Sequence, residues 1–575
     1  MATAVVDAPQ RSRDTTRSWP DLAGPVAFAV LALASAGYLL YLGRRTSFFF
    51  DEWNFVLDRR GWRPGTFLVP HNGHFVALPV LAFHLLFATV GLHWYLPYRL
   101  LLMACHLAAC YLLYRYAQHR VGPLAALVPA GLMLLLGPAV QTLLWPFQIA
   151  FIGALVFGTA AFLLLDGPCT RRRSLLAVGC LLAALGCSGV GIAMVAGAWV
   201  RVLGRRQWRR WWVVGVPTLL FLAWYARYAR HAPGNPKAGG TPAELWGYFR
   251  HAYLAAIGSL TGHTATQDRT LALWLAIAVL VLVLGRLGFE LWHRRLPVGL
   301  LAAIATAVVL WGLTALTRAR YQDYGASRYL YTGAFVVLLA IVEALRGLRF
   351  RLVAVAGLVI AAAASVWSGL DVLQHGARSL SVTDTYVRAD LAALQLSVAG
   401  DSPPPLPTYH PSRRRAPQVT VGRYRSAIAD LGSPAMPVSA LPGQSAGVRT
   451  DVDRVLREAG DLRVTSAAPP TGPAAPVTVI GGATTQFTPP TTGCQLVRAS
   501  GPGDVLLRFA LPPAGVRVSS PASVVLVVRR YGPNLVGLTR VPAGRTELLR
   551  PLADRSPVPW VVQLGANQPI TVCGS

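Results

Sequence analysis

The chain has 575 residues, of which 54% are hydrophobic and only 13% are charged. Soluble domains carry about 25% charged residues, so this composition excludes an ordinary soluble protein. The formal net charge of +29 could indicate nucleic-acid binding, but the arginines lie in short clusters between apolar runs, which is the pattern of membrane topology. Runs of membrane length recur up to residue 371 and then stop. We therefore predict a polytopic α-helical membrane protein with a soluble C-terminal part and no nucleic-acid partner.

The chain begins with a polar segment, 1–21, followed by an apolar run, 22–42, that is long enough to span a bilayer. We predict an uncleaved first span with the N-terminal segment in the cytoplasm. The next loop, 43–94, contains a short apolar segment, 75–91. A segment of that length is more often interfacial or re-entrant than spanning, so we leave it out of the span count. If it did span, every later loop would change sides.

Ten further segments are predicted to span the membrane, which makes about eleven spans in a domain from 22 to 371. The short pair 175–188 and 190–203 could instead form a re-entrant hairpin. Predicted inner segments hold 16 Arg in 37 residues, whereas predicted outer segments hold 12 Arg or Lys in 120. This contrast predicts that the C-terminal part lies on the outer face. The ten segments are 95–114, 122–138, 148–165, 175–188, 190–203, 211–226, 271–289, 297–316, 328–345 and 352–371.

The C-terminal part changes character after residue 371. Residues 372–475 are predicted to form a helix and a Pro-rich linker. From 476 to 575, short β-branched runs alternate with Gly/Pro turns, which predicts an exoplasmic β-sandwich domain. Cys494 and Cys573 are the only cysteines of this part, and they could form a disulfide in an oxidising compartment.

Two adjacent carboxylates, Asp51 and Glu52, follow the first span. Three phenylalanines precede them and Trp53 follows, which suits the bilayer interface. A carboxylate pair at a water–lipid boundary can bind a metal ion or take a proton from a hydroxyl. The alternative is that both residues cap the helix predicted to begin there, since the N-terminal end of a helix favours acids. Their spacing alone leaves both interpretations open.

Further polar residues lie on the predicted outer face. His71 and His74 could supply two metal ligands, but they lack an HExxH context, and loop packing or a hydrogen bond to a substrate is the stronger interpretation. Arg99, near the start of the second span, needs an anionic partner or must reach the surface. Gln148 begins the fourth span and is suited to contact a substrate.

The outer ends of the ninth and tenth spans carry several polar residues, including Asp323, Arg328 and Tyr329. Arg and Tyr at a helix N-terminus are suited to a phosphate, because the guanidinium and the helix dipole act together. Asp323 is a further candidate for substrate contact. The alternative is an aromatic belt with arginines that reach the membrane surface.

Several motifs follow one another in a defined order. Residues 50–55 (Phe-Asp-Glu-x-x-Phe) follow the first span, an interfacial helix with Pro comes next, and Arg99 opens the second span. Residues 327–329 (Ser-Arg-Tyr) then enter a late span. This order, over about 22–371, resembles that of the GT-C glycosyltransferases, which include protein O-mannosyltransferases and aminoarabinose transferases. The Ser-Arg-Tyr sequence resembles their donor-phosphate motif.

The resemblance implies roles for individual residues. Asp51 would be the catalytic carboxylate that deprotonates or orients the acceptor hydroxyl. Glu52 would assist it or help to bind a divalent metal ion, and His74 is a third candidate ligand. Arg99, Arg328 and Tyr329 would hold the phosphate of a polyprenyl-phosphate sugar.

The resemblance also implies an activity. The enzyme would move the sugar to an exoplasmic glycan, lipid or protein acceptor of the bacterial plasma membrane, by inverting single displacement. His71, His74 and the β-rich part are not general features of the family, so the acceptor stays open.

Two other functions are compatible with a polytopic envelope protein. A transporter or flippase of lipid-linked glycans would predict internal repeats with paired broken helices, and the two halves of the sequence show no clear repeat. A non-catalytic envelope scaffold would make the C-terminal part the working domain. The retained Asp51, Arg99 and Arg328 favour an enzyme over a scaffold.

Overall fold

A computed structural model describes residues 19–230, 232, 239–264, 269–348, 350–398, 406–468, 479–481, 485–488, 494–499, 504–553 and 556–574. Most of the predicted N-terminal segment and the start of the predicted Pro-rich linker lie outside these residues.

The helices are α1 Trp19–Leu42, α2 Asp51–Asp58, α3 Pro64–Leu68, α4 Ala77–Val90, α5 Leu96–Val121, α6 Leu127–Leu134, α7 Val140–Leu144, α8 Ile149–Asp166, α9 Arg171–Leu185, α10 Val190–Gly204, α11 Trp211–Trp224, α12 Pro242–Leu260, α13 Arg269–Trp292, α14 Val298–Arg318, α15 Ser327–Ala344, α16 Leu352–Val398, α17 Val421–Leu431 and α18 Ala446–Glu458. The strands are β1 Leu462–Ser466, β2 Val479–Gly481, β3 Thr485–Thr488, β4 Cys494–Ala499, β5 Val505–Ala510, β6 Val516–Ser519, β7 Val524–Arg529, β8 Val536–Val541, β9 Thr546–Pro551, β10 Val561–Ala566 and β11 Ile570–Gly574.

Seven helices in the described part of the chain are long and apolar enough to cross a membrane, and a bent pair formed by Leu127–Leu134 and Gly137–Leu144 would make eight. All eleven predicted spans coincide with helices, but α9 and α10 have only 15 residues each, whereas α11 continues without a break into a π-helical segment, Tyr225–Ala229. A helix of about 20 residues is needed to cross the hydrocarbon core. Helices α9 and α10 are shorter than this, and the re-entrant hairpin that the sequence left open for this pair stays open. The segment 75–91 forms α4, of 14 residues.

The chain divides into two compact units. The helical unit consists of Met1–Arg44, Arg63–Ala82 and Tyr98–Ala377, and the C-terminal unit consists of Arg45–Trp62, Phe83–Pro97 and Arg378–Ser575. This division differs from the predicted boundary, which assigned the whole loop 43–94 to the membrane domain. Parts of that loop belong to the C-terminal unit because α2 packs against α17.

A network of buried charges joins four helices of the helical unit. Arg120 Nη2 lies 2.6 Å from Asp166 Oδ2, and Arg120 Nε lies 2.6 Å from Glu343 Oε1. Arg201 Nη1 lies 2.5 Å from Asp166 Oδ1, and the Tyr116 hydroxyl hydrogen-bonds both Glu343 and Arg201. The side chain of Arg201 is fully buried. Two arginines counted in the sequence as charges flanking the spans are therefore interior residues that connect α5, α8, α10 and α15.

The C-terminal unit contains two antiparallel sheets, with strand orders β1-β9-β6-β11-β4-β3 and β2-β5-β10-β7-β8. Alternate residues of the central strands, such as Leu507 and Leu564, are buried in one hydrophobic core to which both sheets and α18 contribute. This is the predicted sandwich, but it begins at β1 rather than at residue 476, because β1 pairs with β9. The structure joins Cys494 and Cys573 in a disulfide between β4 and β11.

We expect Glu343→Gln to destabilise the helical unit. Loss of this charge leaves Arg120 and Arg201 to share the single carboxylate of Asp166, and breaking a buried ion pair by removing one partner costs about 3–5 kcal/mol. Thermal unfolding of the purified protein in detergent measures the effect. The control is Glu290→Gln, whose i,i+4 pair with Arg286 is of a type that contributes about 0.5 kcal/mol or less. Equal melting temperatures for the two variants would contradict the stabilising role of the network.

Candidate functional site

Asp51 and Glu52 lie in an acidic segment (residues 47–58) of the C-terminal unit, at the start of α2. The preceding residue, Phe50, has φ 44° and ψ −110°, a conformation that L-residues rarely adopt and that costs about 1–3 kcal/mol. Such strain persists only where the surroundings enforce it, and it is concentrated at functional sites. The chain therefore turns sharply immediately before Asp51.

Glu52 is the residue that holds this turn. Its side chain is fully buried, the Tyr95 hydroxyl donates to its Oε2 and Oε1 atoms at 2.8 and 3.1 Å, and the Phe49 amide donates to Oε2 at 2.8 Å. These bonds give Glu52 the structural role that the sequence left open for both carboxylates. Asp51, half-buried as the first residue of α2, stays the candidate base.

His71 and His74 lie at the two ends of a tight turn in the helical unit. Their backbones exchange two hydrogen bonds of 3.0 and 2.9 Å, and Asn72 and Gly73 occupy the left-handed region with φ 48° and 82°. The His71 ring packs edge-on against Phe147, with the centroids 5.4 Å apart. His71 therefore takes part in loop packing, one of the interpretations that the sequence left open.

His74 is held in one tautomer by the helix that follows the break at 186–189. The Gly189 amide donates to His74 Nδ1 at 3.2 Å, so the neutral ring carries its proton on Nε2. Burial, together with the positive charges of Arg318 and Arg328, lowers the pKa of His74 to about 4. His74 is thus a neutral hydrogen-bond donor at physiological pH.

His74 lines a cavity of about 330 Å³ in the helical unit, which we call the His74 cavity. Its walls are mostly apolar, and its polar groups include Thr317, Arg318 and Tyr329. An apolar cavity with a few convergent polar side chains is typical of a ligand site. This cavity combines walls suited to a hydrocarbon with cationic and hydrogen-bonding groups suited to an anion.

Arg328 and Tyr329 are the second and third residues of α15. The Arg328 guanidinium lies over the Tyr329 ring, 4.7 Å from its centroid, and Arg328 Nη2 lies 3.2 Å from Asp323 Oδ2. The Tyr248 hydroxyl also donates to Asp323, at 3.4 Å. Asp323, predicted as a substrate contact, is here the counter-charge of Arg328. Both side chains are 27% exposed, so an anion of higher charge could replace the Asp323 carboxylate beside Arg328.

Arg99 and Gln148 are not among the described residues that line the His74 cavity. Arg99 is nearly buried, donates to the Leu40 carbonyl at the end of α1 and lies against Gly43. Gln148 is buried, and its Oε1 has no hydrogen-bond partner among the described residues. A buried unpaired amide oxygen is unusual, and it is the feature that keeps Gln148 a candidate for substrate contact.

The predicted site residues thus form two groups, one in each unit. Asp51 and Glu52 belong to the C-terminal unit, and the others belong to the helical unit. Within the described ranges, no group of three or more His, Cys, Asp or Glu side chains is arranged to hold a metal ion. The metal site at Asp51, Glu52 and His74 therefore stays a prediction from the sequence, and we derive no chemical step through it.

Sequence reasoning did not identify the partners of these groups. Tyr95 holds Glu52 from a position 43 residues away, and Gly189 orients His74 from a position 115 residues away. Nothing in the local pattern of either residue indicates such a contact. Arg318 is the last residue of α14, and its place in the cavity wall depends on packing.

We expect Gly189→Ala to displace the His74 ring. A methyl group at residue 189 would lie 2.8 Å from His74 Nδ1 and 3.1 Å from Cε1, so the imidazole would move and lose its bond to the amide. Nitrogen-15 NMR of histidine-labelled protein, with His74 assigned from His74→Gln, should then show a mixture of tautomers in place of the Nε2–H form. Gly179→Ala is the control, because a methyl group there meets nothing within 4 Å. An unchanged His74 spectrum in Gly189→Ala would refute this arrangement.

Two solved structures are similar to the chain. The crystal structure of ArnT from Cupriavidus metallidurans bound to undecaprenyl phosphate matches with a TM-score of 0.40 and 15% identity, over 80% of this chain and 83% of that chain. The cryo-EM structure of arabinosyltransferase EmbB from Mycobacterium smegmatis matches with a TM-score of 0.33 and 12% identity, over 95% of this chain and 64% of that chain. No protein-family profile and no curated protein sequence matches. With TM-scores this low, the two likenesses carry no argument about function.

Proposed function

We propose that this protein is a membrane glycosyltransferase that moves a sugar from a polyprenyl-phosphate donor to an acceptor on the outer side of the bacterial plasma membrane. The observation that carries the proposal is the His74 cavity. Its walls are apolar, as an isoprenoid chain requires, and Arg318, Tyr329 and the neutral donor His74 meet there. Arg328 lies beside Tyr329 at the N-terminus of α15.

The leaving group explains why these residue types are needed. When the bond between the anomeric carbon and the phosphate oxygen breaks, the polyprenyl phosphate leaves with the electron pair and gains negative charge. Fixed guanidinium groups and a helix N-terminus stabilise that charge without reorganising during the reaction. Arg328 would exchange Asp323 for the phosphate, and His74 would donate its Nε2–H to a phosphate or sugar oxygen.

Asp51 is the proposed catalytic base. It would accept the proton of the acceptor hydroxyl while the acceptor oxygen forms a bond to the anomeric carbon. In a single displacement with inversion, the hydroxyl attacks the face opposite the leaving phosphate. Glu52 would fix the backbone at Asp51 through Tyr95 and Phe49.

The remaining assignments rest on the sequence. The N-terminus is proposed to lie in the cytoplasm and the C-terminal unit outside, which the density of arginine between the predicted spans supports. Arg99 is proposed to contribute to the donor phosphate, and Gln148 to contact the substrate through its unpaired amide oxygen. The acceptor is proposed as a glycan, lipid or protein of the cell envelope.

We expect Asp51→Asn to abolish sugar transfer, with turnover reduced by at least about 100-fold, as is typical when a general base is lost. Transfer from a labelled polyprenyl-phosphate sugar to membrane acceptors is the measurement. Asp371→Asn, which changes an exposed carboxylate of α16, is the control and should keep wild-type turnover. Wild-type turnover in Asp51→Asn, in a protein that inserts and folds normally, would remove Asp51 from the mechanism.

We expect Arg328→Ala to raise the apparent KM for the donor by about 10-fold or more, because a hydrogen bond to a charged group contributes about 1.5–3 kcal/mol. Initial rates at varied donor concentration give this constant. Arg286→Ala removes another half-exposed arginine with a carboxylate partner and should leave the donor KM unchanged. A donor dependence that is identical in Arg328→Ala and wild type would exclude Arg328 from the donor site.

A further inference from the structure

The acidic segment is attached to helix α17 of its own unit. Arg60 Nη1 donates to the Ser426 carbonyl at 2.8 Å and lies 3.1 Å from Asp430 Oδ2. Arg423 pairs with Asp58, the last residue of α2. These contacts fix the C-terminal end of α2 and the residues that follow it.

The buried contact between α2 and α17 is aromatic. Trp53 is fully buried and Tyr424 is 1% exposed, and the two rings meet edge-on with their centroids 6.1 Å apart. Exposed ion pairs contribute little because water screens them, whereas a buried aromatic pair adds geometric preference to the burial of its area. Tyr424 is therefore the central residue of the contact, and its partner Trp53 lies two positions along the chain from Asp51.

The same helix also anchors the residue that holds Glu52. The Leu92 amide donates to the carbonyl of Leu431, the last residue of α17, at 2.8 Å. Three residues after Leu92, the Tyr95 hydroxyl donates to Glu52. On the other side of the segment, the Ser47 amide donates to Asp384 of α16 at 2.9 Å. The strained turn at Phe50 is therefore restrained by Tyr95 through Glu52, by α17 through Leu92 and by α16 through Ser47.

Helix α17 is in turn fastened to the rest of the C-terminal unit. The amide of Val421 donates to the Tyr409 carbonyl at 3.0 Å, and the Tyr409 hydroxyl donates to Glu458 of α18 at 3.1 Å. The Tyr424 hydroxyl lies 2.7 Å from Ser433 Oγ. Because α18 contributes to the core of the two sheets, a continuous set of contacts connects that core with α2.

We propose that the C-terminal part of the chain, through α17 and its central residue Tyr424, is the positioning element for Asp51. The inference rests on the proposed function only in taking Asp51 as the group that acts. It assigns the C-terminal sandwich a part in the transfer reaction that does not require it to bind a ligand. Tyr424 is a positioning residue, because it acts through Trp53 and the backbone of α2.

The test compares three variants of the full-length protein. Tyr424→Ala should lower kcat at least 10-fold with an unchanged donor KM, and should speed amide hydrogen exchange in residues 45–62. Tyr424→Phe keeps the ring and should retain kcat within about 2-fold of wild type. Tyr531→Ala removes a buried tyrosine of the same unit, bonded to Ser556. It should lower the melting temperature but leave kcat and exchange in 45–62 unchanged below the transition.

A charge swap tests the same idea where Tyr424→Ala fails to fold. Asp58→Arg and Arg423→Asp should each lower kcat about 2- to 5-fold, and the double variant should restore it. A merely stabilising contact would not give this recovery of kcat at constant donor KM. Unchanged kcat and exchange in Tyr424→Ala, or an equal loss of kcat in Tyr531→Ala, would overturn the inference.

The two proposals fail in different ways. If Asp51→Asn keeps full turnover, the proposed function fails, and hydrogen exchange in residues 45–62 still reports whether α17 restrains the segment. If Asp51→Asn is inactive while Tyr424→Ala and both charge reversals match wild type, only the positioning role fails.

Discussion

The buried carboxylate of Glu52 is the interaction on which the acidic segment depends. A buried polar group is costly unless it is hydrogen-bonded, and here the Tyr95 hydroxyl and the Phe49 amide donate to the Glu52 carboxyl oxygens. The same bonds fix the backbone on both sides of Phe50, which would otherwise leave its left-handed conformation. The strained backbone before Asp51 and the hydrogen bonds of Glu52 are therefore parts of one arrangement, and the two neighbouring carboxylates differ in their surroundings.

Charged side chains of the helical unit occur in two kinds of surroundings. At the network of Arg120, Asp166, Arg201 and Glu343, opposite charges neutralise each other and hold helices together. At the His74 cavity, arginine and a neutral imidazole meet apolar walls. The first arrangement leaves no requirement for a ligand, whereas the second offers donors to an anion with a hydrocarbon tail. This difference separates the stabilising charges from those we propose to act in the reaction.

Hydropathy predicted a helix at each of the eleven proposed spans, because a long apolar run has few alternatives to a helix, but it did not predict α3 or α12. It left open whether α9 and α10 cross the membrane, and each has only 15 residues. The β-rich part was predicted from its alternating pattern, but β1 was missed because only Leu462 and Val464 are apolar in it. Arg120 and Arg201 were read as flanking charges because their partners lie on other helices.

The sequence indicates which residues are candidates for the site, but it does not indicate how they are arranged in space. Asp51, Arg328 and Tyr329 were identified from their residue types beside apolar runs. The bonds of Tyr95 to Glu52 and of Gly189 to His74 join residues far apart in the chain, and no local spacing encodes them. Asp323 shows the same limit, because its pairing with Arg328 depends on the turn that precedes α15.

The position of β11 in its sheet has a consequence for how the protein matures. This most C-terminal of the described strands lies between β6 and β4, so the six-stranded sheet cannot close until the ribosome has synthesised residues 570–574. Until then β4 and β3 have no connection through that sheet to β6, β9 and β1. A premature stop or a proteolytic cut shortly before Ile570 would therefore divide the sheet at its middle.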